Sequence, residues 1–558
     1  MLMFAASGRA HAQQVSSKYM VTFTDKAGTP YQVTNPQAFL SNRAIERRTK
    51  FGIPVTQLDL PVAPAYLDTL AQRGLKVDAA SKWFNAALVD SKDSLAMMDL
   101  LNLPFVEAVD LVYYVVAGSK GQKTSKTGKS AAMSADYTPF LEDGQLWDNA
   151  SKSGSINYGG AFAQANMIGA NYMHQIGYTG DSVIIAVLDA GYSMADMLPA
   201  FDSLRLQNRI LSTRNFVRPT ESVYTSSQHG TMVLSTMTAN LPGQIVGTAP
   251  HASFHLLLSE DVLSEFPVEE FYWGLAAEYA DSIGADMINS SLGYTTFDLP
   301  LLSHTYQDMD GKTNLSSRAA TIAASRGMLV IASAGNGGGS SWFYISSPGD
   351  ADSIVTVGAV DVAGIYAPFS STGPSFDQRV KPDVVAVGLG STIAASWGGA
   401  TTGNGTSFSG PIMCGALACL WQANPNMSNM QIIDALHRSA HQYNFPDTLL
   451  GYGIPNLAIA HLILGGQDFH DITGEKLVTV APNPFNNLLM ITFYAADTHQ
   501  VLLELYDLRG KLYHSRSYLK TNGFNVIPLT DLDNLAAGVY VLKITDGKNV
   551  ITQKVIRR

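Results

Sequence analysis

The chain has 558 residues, of which 46% are hydrophobic and 15% charged, and its formal charge is −10. That length calls for about three to four domains, and the acidic balance argues against a nucleic-acid binder. No apolar stretch reaches the length that a membrane span needs. The chain opens Met1-Leu2-Met3-Phe4 and reaches Ala10-His11-Ala12-Gln13. Its Ala-x-Ala is the kind of site signal peptidase cuts, so residues 1–13 are expected to be a signal peptide truncated at its basic end. Residues 14–117 follow as a small α+β domain: Tyr19–Thr24 alternates as a strand, Ala65–Arg73 reads as a helix stopped by Gly74, and Ala86–Val89 and Val106–Val109 read as apolar strands. The Lys/Ser/Gly-rich stretch from Gly118 opens a linker over 118–154, exposed and open to processing.

The chemistry lies in the next segment, 155–464. Val183–Leu188 is a continuous, β-branched apolar run, as expected of a strand buried in a parallel sheet, and it ends at Asp189-Ala190-Gly191. An aspartate there faces the crevice at the carboxyl ends of the strands or caps a helix. His229 opens another apolar helix at His229-Gly230-Thr231, and Leu329–Ser333 runs into the turn Ala334-Gly335-Asn336. Gly405-Thr406-Ser407-Phe408-Ser409-Gly410-Pro411 leads into a helix apolar all round, with Pro411 expected in its first turn. That presents Ser407 at a helix N-terminus, where unpaired amides attract negative charge. A serine in such a setting is also a common helix cap, a lone histidine is usually structural, and an asparagine after glycine is usually a turn.

Chain order separates these readings, because Asp, His, Ser is the order of the subtilisin triad. The three motifs and the Asn336 segment resemble the subtilisin family of serine proteases, with Ala190 standing where that family carries Ser or Thr. The resemblance implies a three-layer α/β domain with a parallel sheet, a triad of Asp189, His229 and Ser407, and an oxyanion hole completed by Asn336. It further implies that Ser291, Leu292 and Gly293, with Ala334 and Gly335, wall the P1 pocket and pair an extended polypeptide substrate. No carboxylate lies in those walls, so apolar or aromatic P1 side chains are expected; Glu260 and Asp261 are candidates for biasing neighbouring subsites. By the same resemblance the α+β domain is an inhibitory propeptide.

The chemistry needs no cofactor. Structural calcium is conceivable at Asp308-Met309-Asp310 and Asp350-Ala351-Asp352, although neither satisfies a full calcium-loop pattern and no metal ligand is assigned. Cys414 and Cys419, five apart on one helix, point away from each other and are expected to be buried free thiols. After a second linker, 465–475, residues 476–558 read as a small β-sandwich. Its Pro482-Asn483-Pro484-Phe485, Leu505–Lys511 and Gly538-Val539-Tyr540 segments resemble the sorting domain of the type IX secretion system. This implies a secreted or surface protein of a Bacteroidetes-type bacterium with that machinery as partner; a monomer is expected. The competing functions are a degenerate, surface-binding relative and an esterase, the latter disfavoured because Ser409 stands where the Gly-x-Ser-x-Gly elbow needs glycine.

Overall fold

The computed structural model describes residues 15–116, 156–465 and 478–558, apart from 482, 487–488, 496–498, 521–522, 531 and 548. The expected signal peptide, the whole of the first linker and most of the second lie outside the described residues. The chain divides into two compact units, 1–457 and 458–558, so the N-terminal domain does not separate from the central one.

The central domain is built on seven parallel strands. In spatial order they are Val384–Val387, Val355–Val360, Leu329–Ser333, Met287–Ser290, Ile184–Asp189, Ser253–Leu258 and Ile210–Asn215. Most are apolar on both faces because helices cover both: Thr406–Ala423 and His229–Thr238 on one side, Val268–Ile283 and Leu315–Ser325 on the other. This is the expected three-layer arrangement. It sets the ends of Ile184–Asp189 and Leu329–Ser333 beside the N-termini of the two inner helices.

The N-terminal domain is a four-stranded antiparallel sheet in the order Lys76–Ser81, Ala86–Asp90, Val15–Phe23, Val106–Val116. Alternate residues go to different cores. Tyr19, Val21, Phe23, Ala87 and Val89 pack with Leu70 and Met97 of the domain's own helices, whereas Met20, Trp83, Phe84, Ala86 and Leu88 join the core beneath Val268–Ile283. Phe84 shows how tight that contact is: a Cβ added at Gly274 would lie 2.5 Å from its ring.

Charge locks the same seam. Glu278 accepts from the Ser81 hydroxyl and from the amides of Lys82 at 3.0 Å and Trp83 at 3.1 Å, and Asp281 binds Arg47 at 2.6 Å and Arg48 at 2.7 Å. Arg48 and Arg326 converge on Asp59 at 3.0 and 3.3 Å. Burial works against that carboxylate, yet Arg48 and Arg326 hold its pKa below the ordinary value.

The start of the central domain is pinned by His174. Its Nε2–H donates to Thr248 O at 3.0 Å, and Nδ1 accepts from the Tyr158 hydroxyl at 2.6 Å. A second proton, on Nδ1, would force the Tyr158 hydroxyl to turn from donor to acceptor, and burial pulls this pKa down to about 4. In the C-terminal unit, the strands Val478–Ala481, Leu489–Ala495 and Gly523–Leu529 form one antiparallel sheet. Leu512–Lys520, His499–Asp507, Gly538–Asp546 and Asn549–Arg557 form another, and a shared core includes Phe485, Leu503, Leu505 and Leu542.

Two outcomes are expected. Gly274→Val overpacks the seam and should cost about 1–3 kcal/mol in denaturant unfolding of the full chain; an unchanged midpoint would show that the seam is loose. For His174 the folded pKa lies below the unfolded one, so the folded form binds fewer protons between the two. The stability it contributes is complete above the unfolded pKa and is lost as pH falls towards about 4. Between pH 7 and 5 this amounts to roughly 2 kcal/mol, and His174→Gln should flatten that part of the profile.

Candidate active site

Asp189 ends its strand with no exposure, and its Oδ1 meets His229 Nδ1 at 2.7 Å and the Ala190 amide at 2.7 Å. A carboxylate only accepts, so Nδ1 carries the proton and Nε2 keeps its lone pair. The amide of Ala190 makes its bond whatever the side chain at 190, which is why Ala is tolerated there. Two glycines allow the approach. Gly230 N donates to Gly191 O at 2.9 Å, and a Cβ on Gly230 would lie 2.5 Å from that carbonyl and 3.0 Å from Asp189 Cβ. Gly191 itself has φ +140°, and a Cβ there would stand 2.7 Å from Ser227 N.

Ser407 sits in the first turn of Thr406–Ala423, and the His229 ring lies over the next residue, with the Phe408 centroid at 6.4 Å. Ser407 and His229 keep 8% and 9% exposure where Asp189 has none, so the first two alone are open to a substrate. The helix corrects one expectation: it begins at Thr406, which puts Pro411 in the second turn and not the first. Proline has no amide to offer the carbonyl four residues back, which is that of Ser407. The Ser291 hydroxyl takes that place, donating to Ser407 O at 3.0 Å. In return Ser407 Oγ lies 3.5 Å from the Ser291 carbonyl.

Asn336 is oriented from the same helix start. Its Oδ1 accepts from Thr406 N and Thr406 Oγ1, both at 2.9 Å, which leaves Nδ2 as the outward donor. A Cβ on Gly405, whose φ is +150°, would stand 3.6 Å from both Asn336 Nδ2 and Ser407 N. Two donors thus flank one point beside Ser407, an arrangement suited to an anionic oxygen.

The two segments expected to wall the P1 pocket also come together. Gly293 and Gly335 have one hydroxyl in common, that of Ser346: a Cβ on Gly293 would overlap it, and one on Gly335 would lie 2.8 Å from it and from the Ser371 hydroxyl. Ser346 N donates to Ala334 O at 3.1 Å, Tyr294 N to Ser347 O at 2.8 Å, and Leu292 is buried. Ser346 and Ser347 were invisible in the sequence, where they are two serines in a loop. Of the subsite candidates, Glu260 is not a surface acid: it is buried and accepts from the Tyr294 hydroxyl at 3.2 Å. Asp261 is held by Arg218 at 2.9 and 3.0 Å.

In the two aspartate loops the carboxylates are engaged by donors of the protein itself. Asp308 accepts from Thr305, Asp310 from the amides of Lys312 and Thr313 at 2.8 Å, and buried Asp350 from Gly311 N at 2.8 Å and Ser317. Among the described residues, Glu260, Glu265 and Glu269 approach one another, but Glu269 is occupied by the amides of Asp261 at 2.9 Å and Phe266 at 3.0 Å. We assign no cation there. Cys414 and Cys419 are free and buried, with burial pushing both thiol pKa values up.

Ser291→Ala should leave the Ser407 carbonyl without its partner and lower stability by about 1–3 kcal/mol. Ser291→Thr, which keeps the hydroxyl, should recover most of it; equal losses in thermal melts of the two variants would count against this role.

Residues 180–453 match the model of the subtilase family, residues 18–129 that of the Bacteroidota peptidase S8 propeptide domain, and residues 479–558 that of the secretion system C-terminal sorting domain. The chain is 32% identical to subtilisin E of Bacillus subtilis (strain 168) over 340 residues, 58% of this chain and 78% of the relative. It is 31% identical to the subtilisin of Bacillus pumilus over 312 residues, 55% and 98% of the two chains, and 31% to subtilisin BL of Lederbergia lenta over 290, 51% and 93%. No helix among the described residues is long and apolar enough to cross a membrane. The propeptide and sorting domains mark a secreted or cell-surface protein of the Bacteroidetes type. The chain belongs to the subtilase family and is a serine-type endopeptidase with its own propeptide and sorting domain.

Proposed function

We propose that this endopeptidase cuts polypeptides through Asp189, His229 and Ser407 by way of an acyl-enzyme. The observation that carries the reading is the 2.7 Å contact between Asp189 and His229 Nδ1, which leaves the other ring nitrogen, Nε2, as the base. His229 Nε2 takes the proton of Ser407 Oγ as that oxygen attacks the scissile carbonyl, and Asp189 stabilises the imidazolium. The tetrahedral oxyanion is held by Asn336 Nδ2 and the Ser407 amide, in keeping with their common focus near Gly405. The imidazolium then protonates the leaving amine, and water, deprotonated by the same histidine, releases the acyl group. None of these steps calls for a metal.

Unfolded or flexible substrates pair along Ser291-Leu292-Gly293, and the P1 side chain enters between that tract and Ala334-Gly335. Apolar or aromatic P1 residues suit walls without a carboxylate. The propeptide keeps the cleft closed until processing, and the mature enzyme acts as a monomer.

Casein hydrolysis by the processed wild type should vanish in Ser407→Ala. It should fall about 10²- to 10³-fold in kcat in Asn336→Ala. A wild type as inert as Ser407→Ala after removal of the propeptide would favour a surface binding protein instead.

A further inference from the structure

A buried polar chain runs behind the pocket and plays no part in the chemistry above. Glu270, in the first turn of Val268–Ile283, is 1% exposed. Its Oε2 binds His304 Nε2 at 3.1 Å, and its Oε1 accepts from the hydroxyls of Ser316 at 2.9 Å and Ser347 at 3.4 Å. Ser347 also bonds the hydroxyls of Ser316 and, at 2.7 Å, Ser317, which passes the chain to Asp350. Ser347 follows Ser346, the residue between the two wall glycines, and its carbonyl holds Tyr294 next to Gly293. His304 is fixed by its amide on Thr295 O at 2.8 Å and by an edge contact with Phe297 at 5.1 Å.

We propose that Glu270, held by His304, is a positioning residue for the P1 pocket: the pair fixes the Ser346–Ser347 floor, so the grip on the P1 side chain follows the charge of the pair. This rests on the reading of Ser291–Gly293 and Ala334–Gly335 as the P1 walls. The charged groups that face His304 are Glu270 from the helix, Asp308 from its own loop and Asp350 from the loop after Ser347. All are acidic; Arg379 meets Asp350 at its carbonyl, at 2.7 Å, and gives its Nε to the Asp377 carboxylate at 2.8 Å. Burial alone lowers the His304 pKa, but Glu270 and the two aspartates raise it above the ordinary imidazole value. Below that pKa the imidazolium balances Glu270. Above it a carboxylate with 2% side-chain exposure loses its counter-charge, and the serine hydroxyls must re-form around it.

The test uses the self-processed enzyme with two peptides that differ only in P1, Phe against Ala, across pH 6 to about 9. The ratio of their KM values cancels the ionisation of His229. In the wild type this ratio should rise with pH by about three- to tenfold, the worth of one hydrogen bond in the wall. His304→Gln and Glu270→Gln should each make the ratio independent of pH while kcat on the P1 Ala peptide stays within about twofold. A pH-dependent ratio persisting in His304→Gln overturns the proposal, as does a wild-type ratio that discriminates P1 but does not move with pH. If Glu270→Gln fails to fold, His304→Gln, at a partly exposed position, decides the matter alone. A wild type blind to P1 at every pH overturns the pocket reading itself, a result that the variants cannot mimic.

Discussion

The site depends on how closely two backbones pass. The turn after Asp189 and the start of the His229 helix touch through Gly230 N and Gly191 O, and neither position has room for a side chain. A methyl group at either would push the histidine off a carboxylate that has no other route to it, because Asp189 is sealed on the sheet and cannot follow. The parallel sheet supplies the rest. Adjacent strand ends bring Ser291 and the Ala334–Asn336 turn to the N-terminus of the Ser407 helix, so the groups of the candidate site come from separate stretches of chain but rest on one rigid layer.

The propeptide seam is an apolar contact with a charged rim folded inside it. Phe84 and Trp83 contribute area, whereas Glu278, Asp281 and the arginines contribute register. Buried ion pairs add little net stability against an apolar substitute, but a partner left behind is expensive. Arg47 has three carbonyls and the Asp281 carboxylate to satisfy, and a slip of the sheet by one residue would turn the sheet's whole apolar set outward.

Much of this was legible in the residues. Continuous β-branched runs such as Val183–Leu188 announced buried parallel strands, and the order of Asp189, His229, Asn336 and Ser407 pointed to the candidate site. What stayed hidden depends on partners distant in the chain. The helix Asn42–Lys50 is mostly polar, so its buried arginines, paired with Asp281, could not be foreseen. Ser346 acquires meaning only because Gly293 and Gly335 converge on it. The placing of Pro411 failed for a similar reason: local propensity favours proline in a first turn, and the hydroxyl of Ser291, just past the strand Met287–Ser290, made the second turn acceptable.

The two sulfhydryls of Thr406–Ala423 bear on the life of an exported enzyme. Outside the cell a thiol is exposed to oxidants and to foreign disulfides, and its rate of attack follows its thiolate fraction. Cys414 and Cys419 have no surface and thiol pKa values pushed upward, so the folded core keeps both groups chemically silent. Their vulnerable period is the unfolded passage before that helix is buried, which makes speed of folding, and not any covalent bridge, their protection against oxidative damage.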